Sequence, residues 1–256
     1  MASTGTAIFT ITRDQLISAS LRLIRVLQDG ATPGTNDLTD CAQALNILIK
    51  KTQSNGLQLW AYQSLAIPMV ASKTTYTIGP SGADVTSVRP LRLFDGAFLR
   101  QTTNGQSMDT PLRVISRLEY LQFGSKGSTS TPNSIYYHPG IDIASGATSP
   151  SLGYGTLYVY TTPLNAAVGT IYGNFQRPLY DMTSGTDEFD LPSEWFMYLK
   201  WALAAEIADE YEVPEDRIVR IMKRAEGYRQ DLDDWSVEWA PLQMTPDWSM
   251  GNFRSM

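Results

Sequence analysis

Apolar side chains recur at intervals of three and four residues near both ends of the chain, the spacing of one face of an α-helix. The N-terminal pattern predicts a helix from residue 12 and a second over 36–54, with a turn-rich linker between them. Thr12 and Gln15 have the spacing of a capping box, and Gly30 is suited to end the first helix. The apolar face of the second helix carries Leu38, Cys41, Ala42, Leu45, Leu48, Ile49 and Thr52.

A second pair of helices is predicted over 192–235, with a break at Val213-Pro214. The first of them places on one face most of the set Trp195, Tyr198, Leu199, Ala202, Leu203, Glu206 and Ile207. The second places together Ile218, Ile221, Met222, Ala225 and Arg229. These apolar faces are too wide to be buried within either pair alone. We therefore predict a four-helix core that is built from both ends of the chain.

Between the helical ends the period of 3.6 disappears and short β-type runs take its place. A capping box at Ser116 and Glu119 predicts one short helix among them, and Asn104-Gly105 predicts a hairpin turn. The predicted strands cover 62–70, 74–78, 90–100, 110–114, 134–137, 156–161 and 170–177. The expected fold class is α+β, a four-helix core with an inserted antiparallel β module.

The predicted organisation of the chain has five parts. They are an N-terminal arm (1–11), a helical hairpin (12–56), the inserted β module (57–190), a second helical hairpin (191–235) and an extended C-terminal arm (236–256). The last part has large apolar residues but too little length for a core, so we expect it to anchor in a partner. The alternative is that it wraps back onto its own domain. Its anchor candidates are Trp239, Met244, Trp248, Met250 and Phe253.

Composition and charge limit the functions that the chain can have. The chain has 256 residues and a net charge of −6, so bulk charge gives no reason to expect tight binding of nucleic acid. It has one cysteine, so no intramolecular disulfide can form. We see no basic stretch followed by an apolar run at the N-terminus, and no apolar stretch of membrane-spanning length. We therefore expect synthesis in a cytoplasm and no association with membranes.

The sequence contains little that indicates catalysis or metal binding. His138 is the only histidine, and no nucleophile elbow, zinc motif or phosphate-binding loop is present. The acidic clusters at 187–190 and 231–234 lack the spacing and the glycine of a calcium loop. We predict a protein that is not an enzyme, with no catalytic residue, no cofactor and no metal.

Charges of both signs alternate along the last helix. The first interpretation is a solvated surface, the second a contact between copies, and the third, much weaker, a surface for DNA. The candidates for the contact between copies are Arg217, Arg220, Arg224, Asp231 and Asp234.

The order of several motifs resembles a known family. I-T-R-D-Q-L-I-x-x-S-L-R-L-I opens the first helix, N-G-L-Q-L-W follows the second, and L-P-S-E-W precedes the third. T-Y-T-I-G-P-S-G, V-R-P-L-R-L and N-S-I-Y-Y-H-P lie in the β region. Across 11–232 the chain is similar to head-to-tail adaptors of tailed bacteriophages, which are also called tail accessory or packaged-DNA stabilisation proteins.

The resemblance implies a structural virion protein at the head–tail junction, made in the host cytoplasm. It implies a homo-oligomeric ring, expected as a dodecamer, that connects the portal protein to a tail or nozzle protein and extends the DNA channel. DNA is expected to pass through without specific binding, during genome retention and ejection. By position, the anchors of the C-terminal arm would bind the portal.

Two other functions compete with this one. The first is a carbohydrate-binding or other tail-associated β module without portal contact, which would use Tyr136, Tyr137, Tyr158 and Tyr160 as stacking platforms. The second is a hydrolase that uses carboxylates such as Glu119 or Asp142. Alternating tyrosines are more typical of sheet packing, and no acid–base pair is recognisable.

Overall fold

The computed structural model describes residues 9–54, 59–103, 105–140, 153–164 and 169–236. Within these ranges the helices are α1 (Arg13–Leu23), α2 (Thr35–Ser54), α3 (Arg117–Gln122), α4 (Trp195–Ile207) and α5 (Glu215–Trp235). The strands are β1 (Tyr62–Pro68), β2 (Thr75–Gly79), β3 (Val85–Thr86), β4 (Arg92–Thr103), β5 (Gln106–Pro111), β6 (Arg113–Val114), β7 (Ser134–His138), β8 (Gly155–Tyr160) and β9 (Thr170–Gln176).

The prediction of a four-helix core with an inserted antiparallel β module is wrong, because the fold is a mixed α+β arrangement in which the sheets form a second large body. The strands form one sheet in the order β1-β9-β4-β5 and another in the order β3-β2-β8-β7-β6. Side chains from both sheets, among them Ile67, Ile135 and Ile171, meet in a hydrophobic core separate from that of the helices. The pairs β2–β3 and β6–β7 are parallel, so the β region is not purely antiparallel.

The helical region is organised around α4. Eight of the 13 residues of α4 are buried, and they lie on more than one face. A helix that is apolar on most sides needs neighbours on most sides, and α1, α2 and α5 all pack against it. This arrangement of one central helix differs from two hairpins packed face to face.

The first helix ends earlier than the sequence predicts, at Leu23 instead of Gly30. The amide of Val26 donates to the carbonyl of Leu21 over 3.2 Å, and that of Arg25 donates to Arg22 over 3.1 Å. These two bonds form a Schellman motif, which requires a left-handed residue directly after the helix. Arg25 occupies that position with φ of 64°.

Most local predictions are confirmed. The amide of Thr12 donates to Gln15 Oε1 over 3.1 Å, and both hydrogen bonds of the capping box at Ser116 and Glu119 are present. Each predicted strand region contains a strand, although 110–114 is divided between β5 and β6, and β3 was missed. The hairpin between β4 and β5 turns at the predicted place, where Gly105 has φ of 78°.

Candidate interaction surfaces

Five positive side chains surround a cleft between the end of α1 and the first half of α5. The cleft has a volume of about 720 Å³, and no carboxylate lines it. Arg25 comes from the residues after α1, and the other four cations come from α5. We call this surface the basic cleft, lined by Leu23, Arg25, Trp201, Arg217, Arg220, Ile221, Lys223 and Arg224.

The helical period of α5 explains how its cations come together. Arg217, Arg220 and Arg224 are separated by three and four residues, so they share one flank of the helix. Ile221 lies on the same flank but is buried in the helical core, which holds the flank against α1 and α4. No acidic residue lies between Arg217 and Arg224 in the sequence, so this part of the flank carries a single sign of charge.

Three contacts fix the arginines in the cleft. Arg217 Nη2 donates to the carbonyl of Leu23 over 2.6 Å. This place is favourable for a cation because the last carbonyls of α1 carry the partial negative charge of the helix C-terminus. Arg220 Nε donates to the carbonyl of Asp216 over 3.1 Å. The Arg224 guanidinium lies 5.0 Å from the centre of the Trp201 ring, within the range of a cation–π interaction.

Arg25 reaches the cleft from a strained backbone position. A left-handed conformation costs an ordinary L-residue about 1–2 kcal/mol, and glycine is the usual residue after a Schellman motif. Strained residues of this kind cluster at functional sites. The presence of arginine there, with its side chain exposed, is therefore a reason to regard the cleft as a binding surface.

The charges of the basic cleft repel one another. Burial, followed by the positive charges of Arg25 and Arg220, lowers the pKa of Arg217. In the described part of the chain no carboxylate lies within ion-pair distance of any of the five cations. The cleft is thus suited to a partner that brings several negative groups.

A second cleft, between α2 and the end of α4, carries the opposite sign. Its volume is about 280 Å³. Ile47, a large apolar residue, is 65% exposed in it. We call this surface the acidic cleft, lined by Asp40, Gln43, Ala44, Ile47, Glu206 and Glu210.

The acidic cleft contains no residue of α5, but a groove beside it meets a different side of that helix from the basic cleft. Met222, Glu226 and Arg229 line a groove between α5 and α2 that also contains Glu206, a residue of the acidic cleft. Met222 follows Arg217 of the basic cleft by five residues. The two flanks are therefore about 140° apart around the helix axis. Met222, which the sequence placed on the apolar face, is 56% exposed there.

The predicted contact residues are only partly brought together. Arg217, Arg220 and Arg224 meet in the basic cleft, whereas Asp231 and Asp234 are exposed at the far end of α5 and line neither cleft. Sequence reasoning missed the rest of both clefts, which the fold assembles from distant segments. The arm candidates Trp239, Met244, Trp248, Met250 and Phe253 lie outside the described residues.

The tyrosines proposed as carbohydrate platforms are engaged in packing within the chain. Tyr120 of α3 lies 5.8 Å from the Tyr136 ring and 5.2 Å from the Tyr158 ring, and Phe123 lies 4.1 Å from the Tyr160 ring. Tyr137 is buried and donates its hydroxyl to the carbonyl of Pro90 over 2.7 Å.

Of the two proposed hydrolase carboxylates, only Glu119 lies in the described part of the chain. Glu119 accepts from Arg113 over 2.6 Å and belongs to a helix cap, and Asp142 lies outside the described residues. The lone His138 lies 3.2 Å from the Tyr136 hydroxyl through Nδ1. Within the described ranges, no group of three His, Cys, Asp or Glu side chains is placed to hold a metal ion.

Comparisons with known proteins leave the family open. Neither a protein-family model nor a curated protein sequence matches the chain. Among the helices that the structure describes, none combines the length and the apolar character needed to cross a membrane.

Proposed function

We propose that this chain is a structural virion protein, a head-to-tail adaptor that forms a ring between the portal and the tail of a bacteriophage. The observation that carries the proposal is the position of the motifs that resemble the family. I-T-R-D-Q spans the cap and first turn of α1, and L-P-S-E-W leads into α4. Between them lies the β region, so segments from both ends of the chain meet in one helical core.

The two charged clefts support a role in a ring. A closed ring requires each copy to present two different surfaces, one for each neighbour. The basic cleft and the acidic cleft are two such surfaces on one helical region. The net charge of −6 also suits a wall past which DNA slides without specific binding.

The C-terminal arm is the proposed contact with the portal. Trp235, the last residue of α5, is 81% exposed at the point where the arm begins. An exposed tryptophan followed by further Trp, Met and Phe residues has the composition of an interface anchor. We assign Trp239, Met244, Trp248, Met250 and Phe253 to portal binding.

The test is binding to the portal protein encoded in the same genome. The full chain, a chain ending at Trp235 and a chain with Trp239 and Trp248 changed to Ala are compared by native mass spectrometry and biolayer interferometry. Each lost Trp anchor is expected to weaken binding about 30-fold or more. A matched control changes Glu238 and Asp247 of the same arm to Gln and Asn, and it is expected to bind like the full chain.

Two results would count against the proposal. If the full chain does not bind the portal, the adaptor function is wrong. If the chain ending at Trp235 binds as tightly as the full chain, the adaptor function survives but the role of the arm is wrong.

A further inference from the structure

The charges of the two clefts are complementary, and this complementarity identifies a partner for each. We propose that the basic cleft of one copy receives the acidic cleft of the next copy, in a head-to-tail contact that repeats around the ring. This inference rests on the proposed function, and it deepens it by naming the two surfaces that join neighbouring copies. It replaces Asp231 and Asp234 as the acidic side of the contact with Asp40, Glu206 and Glu210.

Charge is the first argument. The basic cleft carries five cations and no lining carboxylate, whereas the acidic cleft carries three carboxylates and no lining cation. The only ion pair of these carboxylates in the described residues is a long one, 3.8 Å, between Glu206 and Lys51. Both clefts are therefore free for a partner, and joining them would bring opposite charges together.

Exposed apolar side chains are the second argument. Ile47 lies in the acidic cleft, and Met222 lies in the adjoining groove, with 65% and 56% of their surface exposed. On the other side of the contact, Trp201 lies beneath the Arg224 guanidinium. Methionine, tryptophan and arginine are enriched in the buried centres of protein interfaces. The acidic flank thus offers an apolar centre with a charged rim, and the basic flank offers an aromatic residue with cations around it.

The placement of the clefts is the third argument. The two clefts share no lining residue, and the groove beside the acidic cleft meets α5 about 140° from the basic cleft, so a copy bound at one cleft leaves the other open. A contact between two different surfaces is heterologous, so it propagates from copy to copy until a ring closes. An antiparallel pairing of two α5 helices, with Arg220 against Asp231, would be isologous and would stop at two copies.

The test uses two full-length variants, each with one damaged cleft. The first carries Arg220→Glu and Arg224→Glu, and the second carries Glu206→Lys and Glu210→Lys. Sedimentation velocity at low ionic strength should show wild-type species larger than two copies. Each variant alone should associate at least about tenfold more weakly. The control variant, Arg92→Glu with Arg117→Glu, makes the same charge change in the β region and should associate like wild type.

Mixing the two variants separates the head-to-tail contact from other arrangements. Each pair can use one intact basic cleft and one intact acidic cleft, and the two remaining clefts carry reversed charges that are again opposite in sign. The mixture should therefore recover association, in complexes that contain both variants. Homodimers of either variant, or no complex in the mixture of correctly folded variants, would overturn the inference.

Site-directed cross-linking gives a second measurement that works for a weak contact. Chains with Lys223→Cys and chains with Gln43→Cys are mixed, with and without the portal, and oxidised. Disulfides are expected between the two kinds of chain and not within either kind. If no such disulfide forms under either condition, the inference is wrong.

A competing occupant of the basic cleft is DNA. If a DNA duplex binds wild type, and Arg220→Glu with Arg224→Glu abolishes that binding without affecting cross-linking or association, the cleft is a DNA site and the inference is wrong. Failure of the inference and failure of the proposed function can be told apart. If the chain binds the portal but the two clefts do not join, the adaptor function stands and the inference is wrong. If the clefts join but the chain does not bind the portal, the adaptor function is wrong.

Discussion

Replacing Arg25 with glycine should separate the stability of the chain from its association. Arg25 has φ of 64°, which costs an L-residue about 1–2 kcal/mol in the folded state and costs glycine nothing. Glycine has more freedom in the unfolded chain, which offsets about 0.5–1 kcal/mol of that gain. The Schellman hydrogen bonds involve only the main chain and are kept. The free energy of unfolding should therefore stay unchanged or rise by up to about 1.5 kcal/mol.

The same substitution should weaken association between copies. Arg25 is one of five cations in the basic cleft, and a charge at the rim of an exposed contact contributes about 0.2–1 kcal/mol. Its loss should therefore weaken the contact by up to about fivefold, with less dependence on salt. Natural selection for the contact would then explain why a strained arginine stands where glycine is favoured.

Urea unfolding followed by far-UV circular dichroism measures the first effect, and sedimentation velocity measures the second. Ser72→Gly is the matched control, because Ser72 is exposed with φ of 61° but lies in the β region. It should give a similar gain in stability and no change in association. Destabilisation by Arg25→Gly of more than about 1 kcal/mol, or association equal to that of wild type, would refute the reasoning.

Three further predictions concern the folded chain. Leu203→Ala, at a fully buried position of α4, should lower the free energy of unfolding by about 3–5 kcal/mol, whereas Met197→Ala, on the exposed side of α4, should lower it by less than about 1 kcal/mol. Equal losses would contradict the central role of α4. The hydrogen bond from Lys73 lowers the pKa of Asp84, so the stability that this carboxylate contributes is complete above the unfolded pKa of about 3.9 and is lost as pH falls through the lower folded pKa. In urea unfolding below about pH 4, the free energy of unfolding of Asp84→Asn should therefore fall less steeply with pH than that of wild type. Burial raises the pKa of the Cys41 thiol, so Ellman's reagent should react slowly with the native protein and rapidly in urea, and equally fast reaction in both would contradict the burial.

Local structure was largely readable from the sequence. The stripe predicted for α2 is confirmed from Cys41 to Thr52, because a helix that buries one face leaves a plain period of 3.6. The capping residues at Ser116 and Glu119 and the glycine of the β4–β5 turn were also readable, since each has a specific local role. Such features depend on residues that are close together in the chain.

Features that depend on contacts between distant segments could not be predicted from the sequence. The sequence pattern of α4 gave its apolar residues but not the number of its neighbours, so the central position of this helix was missed. The end of α1 was misplaced because the left-handed position holds Arg25, and the usual signal there is glycine. The parallel pairs made by β3 and β6 involve strands of two residues, too short to show alternation.

The charged clefts were hidden for a related reason. Along α5 positive and negative residues alternate, which favours a solvated surface when the sequence is read as a line. From Arg217 to Arg224, however, no acidic residue intervenes, and the helical period places the three arginines of this segment on one flank. Arg25 joins them only because the end of α1 packs beside α5, at a distance of almost two hundred residues along the chain.

The most direct test of the adaptor function is electron cryomicroscopy of the assembled virion. We expect density for this chain as a closed ring between the portal and the tail, with its C-terminal arm against the portal. In the contact between neighbouring copies, Arg220 of one copy should face Glu210 of the next. Density for the chain elsewhere in the particle, or its absence from the virion, would contradict the proposed function.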